Sequence, residues 1–195
     1  MKPMRLLSAL LAATAAMSAL PATAAERAID KEVVVTASPD QLWESWTTRQ
    51  GVTAFFAPDA EVEPRVGGAF HIYFDPLAPP GSKGADDTHF MALVPKRMLS
   101  FDWNAPPSLP EARAQRTFVL VRLIPVDAAT TRVTLHHTGW GDGGEWDQAY
   151  AYFDRAWTGV LAHLKSRYEQ GPQDWTAWLK QLEQAHAAEG AKLPK

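Results

Sequence analysis

The chain has no cysteine, which excludes a disulfide framework, a thiol nucleophile and any metal site built on thiolates. Positive charge is scarce as well. The formal charge is -3, and taking away Lys2 and Arg5 moves it to -5. No basic cluster remains to follow a phosphate backbone, so nucleic acid is not an expected partner. The only long apolar run is Leu6 to Leu20, and beyond it there is neither an internal repeat nor a low-complexity tract.

That run follows Lys2 and Arg5 and precedes Pro21-Ala22-Thr23-Ala24, the order of an export signal: a short charged region, an apolar region and small residues at a cleavage site. Residues 1-24 are expected to be such a signal, cut after Ala24 or Ala25, which makes the mature protein periplasmic or secreted. A run of fifteen residues, mostly Ala and Leu, is short for a bilayer that needs roughly 20, so no stable membrane insertion is expected after cleavage. The remaining chain suits one domain, and eight Trp with eight Phe supply the material for a core or a cavity.

What the chain does have is a long amphipathic stretch from Glu145 to Tyr168. At helical spacing Trp146, Tyr150, Phe153, Trp157, Val160, Leu161, Leu164 and Tyr168 form one stripe, with charged and polar residues opposite. Glycines precede it and Gly171-Pro172 closes it, as helix boundaries require. Burying that stripe is worth on the order of 15 kcal/mol against an extended chain, so it demands a broad apolar partner.

The segment from Ile29 to Thr138 offers that partner as strands. Ile29 to Ala37 is β-branched and alternates with charge. Ser38-Pro39-Asp40-Gln41 is a capping-box start for a short helix carrying Leu42, Trp43 and Trp46, and a second short helix is predicted from Thr48 to Phe56. Period-two segments follow at Ala60 to Val66, Ala69 to Phe74, Thr88 to Val94, Met98 to Trp103, Gln115 to Ile124 and Arg132 to Thr138, which makes seven strands. Gly67-Gly68 signals a tight hairpin, and the Pro-rich segments Asp75 to Asp87 and Asn104 to Ala114 are predicted rim loops. The fold class is therefore α+β, with a curved antiparallel sheet around the long C-terminal helix. The domain spans residues 27-170. Residues 171-195 form a tail with an extra short helix, Asp174 to Ala185, carrying Trp175, Trp178, Leu179 and Leu182 on one side; Ala191 to Lys195 are expected to be disordered.

Little in the sequence carries chemistry. No Ser sits in a nucleophile elbow. Asp142 to Asp147 is acidic and Gly-rich but lacks the alternating ligands of a calcium loop. His136 and His137 are adjacent on a strand and point to opposite faces. His71 and His89 fall on neighbouring predicted strands beside Asp86-Asp87, yet no two of them have the spacing of a zinc site, so neither metal nor cofactor is expected. His137, on the face of Val133 and Leu135, is the candidate polar group inside: an acid-base group, or a histidine that merely holds the helix in place.

The element order, Val66-Gly67-Gly68 before an alternating aromatic strand, His137-Thr138-Gly139-Trp140 at the end of the last strand and Trp157 in the long helix together resemble the helix-grip (START/polyketide cyclase-like, SRPBCC) superfamily. Within it the chain is most similar to the group named for homology to the C-terminal domain of the activator of the heat-shock protein 90 ATPase. The resemblance covers residues 29-169. It implies a cavity between the long helix and the sheet, closed by the two short helices, and no single reaction.

Met91, Phe118 and Leu120 raise the question of pocket walls, but the expected lining is Trp46, Phe70, Phe74, Phe101, Trp103, His137, Tyr150 and Trp157, holding a hydrophobic or aromatic small molecule. The alternatives are a cyclase-like or hydrolase-like enzyme with His137 as its acid-base group, and a chaperone-accessory protein whose partner docks through Trp175 and Trp178 or on the sheet's outer face.

Overall fold

The computed structural model describes residues 26-190; the expected signal segment and the last five residues lie outside them. Strand β1 (Ile29–Val35) leads into α1 (Pro39–Thr47) and α2 (Arg49–Thr53). The capping box forms as expected: Ser38 Oγ accepts from the Gln41 N–H at 3.3 Å, and Gln41 Oε1 accepts from the Ser38 N–H at 3.0 Å. The Thr48 side chain caps α2 by accepting from the Gly51 N–H at 2.9 Å. Gly51 has to be glycine, because a Cβ there would lie 2.2 Å from the Glu44 carbonyl oxygen of α1.

Strands β2 (Asp59–Val62), β3 (Phe70–Tyr73) and the two-residue β4 (Gly84–Ala85) form one antiparallel sheet. Strands β5 (Phe90–Val94), β6 (Met98–Trp103), β7 (Thr117–Pro125) and β8 (Thr131–Thr138) join β1 in a second, ordered β1-β8-β7-β6-β5. The seven expected strands are all present, but they divide between two hydrogen-bonded sheets, and β4 arises inside a segment expected to be loop throughout. Strand β2 ends four residues earlier than expected, since Pro64 has no N–H to continue a ladder. Gly67 and Gly68 do not make a two-residue hairpin. They pair across to β5, with the Gly67 N–H donating to the Phe90 carbonyl at 2.8 Å and the Phe90 N–H to the Gly68 carbonyl at 3.0 Å. This seam, with the Ala69–His89 bridge, joins the two sheets.

A single turn, α3 (Pro110–Arg113), interrupts the second Pro-rich segment. The long helix α4 (Gly144–Gln170) buries Ala149, Phe153, Trp157, Leu161 and Leu164, a set offset slightly from the expected stripe because Trp146 packs instead with Trp140 and Leu109 beside Ala112 and Ala149. Helix α5 (Thr176–Gly190) packs on the outside. Its entry is tied down by indole N–H groups: Trp175 donates to the Thr53 carbonyl at 2.7 Å and Trp178 to the Phe74 carbonyl at 2.8 Å. His186 pairs with Asp75 at 2.7 Å. The two tail tryptophans expected to greet a partner thus spend their polar atoms on this chain. Among the described residues no helix is long and apolar enough to cross a membrane.

The core lies between α4 and the concave face of the sheets, and aromatic rings fill it. Phe55 and Phe56, just beyond α2, reach the space beneath the helix. The Phe56 ring lies 5.7 Å from Trp46, 5.9 Å from Trp103 and 5.8 Å from Trp157. Truncating so central a ring leaves a void that rigid neighbours cannot close. Phe56→Ala is therefore expected to lower unfolding free energy by about 3–5 kcal/mol in urea denaturation; a loss below ~1 kcal/mol would mean that the interior is loosely packed.

Candidate functional site

On β8 the burial alternates, with Thr131, Val133, Leu135 and His137 inward, so the strand period delivers His137 to the core face as expected. The imidazole is fully buried. The Trp157 indole N–H donates to His137 Nδ1 at 2.8 Å. An indole nitrogen can only donate, so Nδ1 is the bare nitrogen and Nε2 carries the proton. Nε2–H then donates to Thr117 Oγ1 at 2.7 Å, and Thr117 Oγ1 donates to the Trp103 carbonyl at 3.2 Å. The Trp140 indole N–H caps the His137 carbonyl at 2.9 Å.

Burial pushes the His137 pKa down to about 3, with adjacent His136 adding to the shift. Both ring nitrogens are committed and the ring stays neutral, so His137 has no nitrogen free for acid-base work; it joins helix to sheet. His136 points outward and pairs with Asp30 at 2.8 Å.

The other expected wall residues divide into three groups. Trp46, Phe70, Phe101, Trp103 and Trp157 come together, but as packed core: Phe70 and Phe101 centroids are 4.5 Å apart, Phe101 and Trp103 5.4 Å, and Trp103 and Trp157 5.5 Å. The open space expected at their centre is occupied by Phe55 and Phe56. Tyr150 turns towards β1, where its hydroxyl donates to the Ala28 carbonyl at 2.8 Å and the Arg27 guanidinium lies 4.0 Å over its ring. Phe74 is half-buried at the rim. Met91 on β5 and Phe118 on β7 are 50% and 44% exposed, on the outer face, and Leu120 shares the Phe118 side of β7. The inward residues there are Thr117, Val119, Val121 and Leu123, so Phe118 and Leu120 are not pocket walls.

A recess does exist, displaced to the rim. It has a volume of about 180 Å³ and lies where Phe74, Trp103, Asn104, Tyr152 and Phe153 meet the loop around Lys83. Its walls are pinned by Arg113, which donates to the carbonyls of Ala105, Gly81 at 2.8 Å and Gly84 at 2.9 Å, and to Asp86 at 3.3 Å. Burial lowers the Arg113 pKa, and Asp86 beside it counters that. Asn104 donates to the Asp86 carbonyl at 2.9 Å, which leaves its Oδ1 without a partner; Trp103 Nε1 is likewise buried and unpartnered. An unmatched acceptor and an unmatched donor thus belong to two residues lining one recess. Neither Asn104, Tyr152 nor Arg113 stood out in the sequence, because only the meeting of two Pro-rich loops gives them a common site.

The family model described as Activator of Hsp90 ATPase homolog 1-like protein matches residues 36–169. The chain belongs to this family. Solved structures agree on the fold of the Hsp90-activator-like domain. Protein MLL2253 from Mesorhizobium loti is 20% identical, with a TM-score of 0.60 over 75% of this chain and 100% of that one. DynU16, from the dynemicin biosynthetic locus, is 20% identical with a TM-score of 0.57, over 74% of this chain but 48% of its own. PFC0360w, an Hsp90 activator from Plasmodium falciparum, is 16% identical with a TM-score of 0.54, over 75% and 97%. No curated protein matches the chain. At these identities the likeness to solved structures carries the fold alone.

The neutrality of His137 has a measurable sign. An unfolded chain takes up a proton on His137 near pH 6.5, whereas the folded chain resists down to about pH 3. The stability that His137 contributes is therefore full above pH 6.5 and is lost as pH falls towards 3, with a slope of at most ~1.4 kcal/mol per pH unit. Denaturation midpoints across this window are expected to fall more steeply for the wild type than for His137→Gln, since carboxylate titration is common to both. Parallel pH profiles would show that the imidazole is not held neutral.

Proposed function

We propose that the protein is an exported, periplasmic or secreted, small-molecule-binding member of the Hsp90-activator-like family, and that its hydrophobic or aromatic ligand sits in the rim recess rather than beneath the centre of α4. The observation that carries this reading is the pairing of aromatic walls (Phe74, Trp103, Phe153) with unpartnered buried polar atoms on Trp103 and Asn104. Apolar burial supplies affinity, and complementary polar groups on the ligand supply orientation. A volume of about 180 Å³ lies below the ~300–1,000 Å³ of drug-sized pockets, which favours a single-ring molecule with both an acceptor and a donor, such as an aromatic amide or acid. The signal-like order of residues 1-24 supports export. The likeness to DynU16, a protein of a biosynthetic locus, lends weight to a small-molecule role.

A second reading, a partner-binding or chaperone-accessory protein, draws on the family and on the Hsp90 activator among its structural likenesses. The outer sheet face, with Met91 and Phe118 exposed, suits it better than the tail.

A panel of single-ring aromatic amides, acids and phenols, tested by native mass spectrometry and tryptophan fluorescence, separates these readings. At least one compound is expected to bind, and Ser82→Trp, which fills the recess mouth, is expected to weaken it at least tenfold with an unchanged circular dichroism spectrum. Binding untouched by Ser82→Trp, or no binder in the panel, would count against the recess.

A further inference from the structure

Away from the recess, on the outer face of the seam between the two sheets, the fold gathers His71, Asp87 and His89 so that one ligand atom from each lies within 4.8 Å of the others. We propose that these three side chains bind a divalent transition-metal ion, with Zn²⁺ the best-matched species and a coordination position left open to solvent.

His71 is the best prepared of the three. Its Nδ1 faces the Tyr73 hydroxyl at 3.2 Å and Glu61 Oε2 at 3.4 Å, and the Tyr73 hydroxyl reaches the same carboxylate at 3.5 Å. With a carboxylate at the end of that chain, Nδ1 is the protonated nitrogen. Nε2 is then a bare lone pair, and it is buried without a hydrogen-bond partner among the described residues. A histidine with one nitrogen engaged by a tyrosine hydroxyl that itself leads to a carboxylate, and with the opposite nitrogen vacant, has the outer support that metal-ligating histidines use, because that support fixes the tautomer and raises ligand basicity.

The other two side chains are positioned in the same way. The backbone of His89 is clamped on both sides by Asp102, whose Oδ1 accepts from the His89 N–H and whose own N–H donates to the His89 carbonyl at 3.1 Å. The His89 ring stands at 87° to that of His71, with centroids 5.7 Å apart. Asp87 occupies the left-handed region at φ 55°. Arg116 engages its Oδ2 at 3.0 Å, while its Oδ1 faces His89 Nε2 at 3.8 Å. One carboxylate oxygen is thus tethered and the other is presented.

Two nitrogens and one oxygen suit Zn²⁺, whose tetrahedral bonds of about 2.0–2.2 Å place ligand atoms roughly 3.3 Å apart. Closing from 4.8 Å to that spacing requires only side-chain rotation, since Asp87 and His89 are 78% and 39% exposed. Glu61, Asp87 and Asp102 outnumber the nearby Arg116 and Lys83, so the neighbourhood is negative before any cation arrives. The ion would tie β3 to the start of β5 on the solvent side of the seam, whose buried side is already packed by Phe70 against Phe90 and Phe101.

Isothermal titration of the tag-free, chelator-treated full chain with Zn²⁺ tests this. One equivalent is expected to bind, with a dissociation constant in the micromolar range or tighter, and Co²⁺ in its place should give visible d–d absorption. His71→Ala and His89→Ala should each weaken binding at least a hundredfold. Glu61→Gln, which touches no ligand atom directly, should weaken it roughly tenfold to a hundredfold. His136→Ala removes a histidine from elsewhere on the surface and should change nothing. If His71→Ala fails to fold, the more exposed His89 and the outer-sphere Glu61 decide the matter. Absence of stoichiometric binding to the wild type, or wild-type affinity in both His89→Ala and Glu61→Gln, would overturn the assignment.

Discussion

A buried imidazole bonded on both nitrogens joins the long helix to the sheet, and the geometry of that joint constrains most of what surrounds it. Trp157 can only donate, so His137 must accept at Nδ1 and donate at Nε2 to Thr117 on the neighbouring strand. This chain settles the rotation of α4 about its axis, because turning the helix by one residue would leave an indole N–H and an imidazole nitrogen buried and unmatched, a cost of about 1–3 kcal/mol for each group. It also requires a neutral ring, which burial supplies.

With the helix set in this way, the space under it becomes small and apolar. Phe55 and Phe56 arrive from the end of α2 and complete a contiguous set of rings running from Trp46 to Trp157. The fold's concavity is therefore used for stability, which a chain without disulfides has to find in its core. The open recess lies instead at the rim, where the two Pro-rich segments carry little regular structure beyond β4 and α3. Arg113 ties those loops together through their carbonyls, although the walls they make are irregular.

The outer face follows a different logic. Strands β2 to β4 and the five-stranded sheet meet along a short seam where Gly67 and Gly68 pair with Phe90. Gly68 is required there, since a Cβ would fall 2.3 Å from the Glu63 carbonyl oxygen. Polar side chains crowd the solvent side of that seam because the same alternation that buries Phe70, Ile72 and Phe90 turns His71, Tyr73 and His89 outward. Helix α5 closes a third side, resting its tryptophans on backbone carbonyls at the end of α2 and of β3.

Periodicity was enough to determine much of this protein. The period of 3.6 in residues 145-168, the period of two on both sides of His137 and the Ser38 capping box each depend on near neighbours in the chain, and each is legible in the sequence itself. The inward placement of His137 followed from the same alternation. On β7 the alternation does not by itself show which side is inward, because Phe118 and Leu120 are as apolar as Val119 and Val121 and only pairing with β8 decides which set faces the helix. Whether the interior was hollow, where two Pro-rich loops would meet, and which histidines would converge all depend on contacts between residues far apart in sequence. His71 and Asp87 are sixteen positions apart and acquire a common site only when β3 is laid beside the start of β5; local spacing carries no record of that approach, and the tertiary structure alone supplies it.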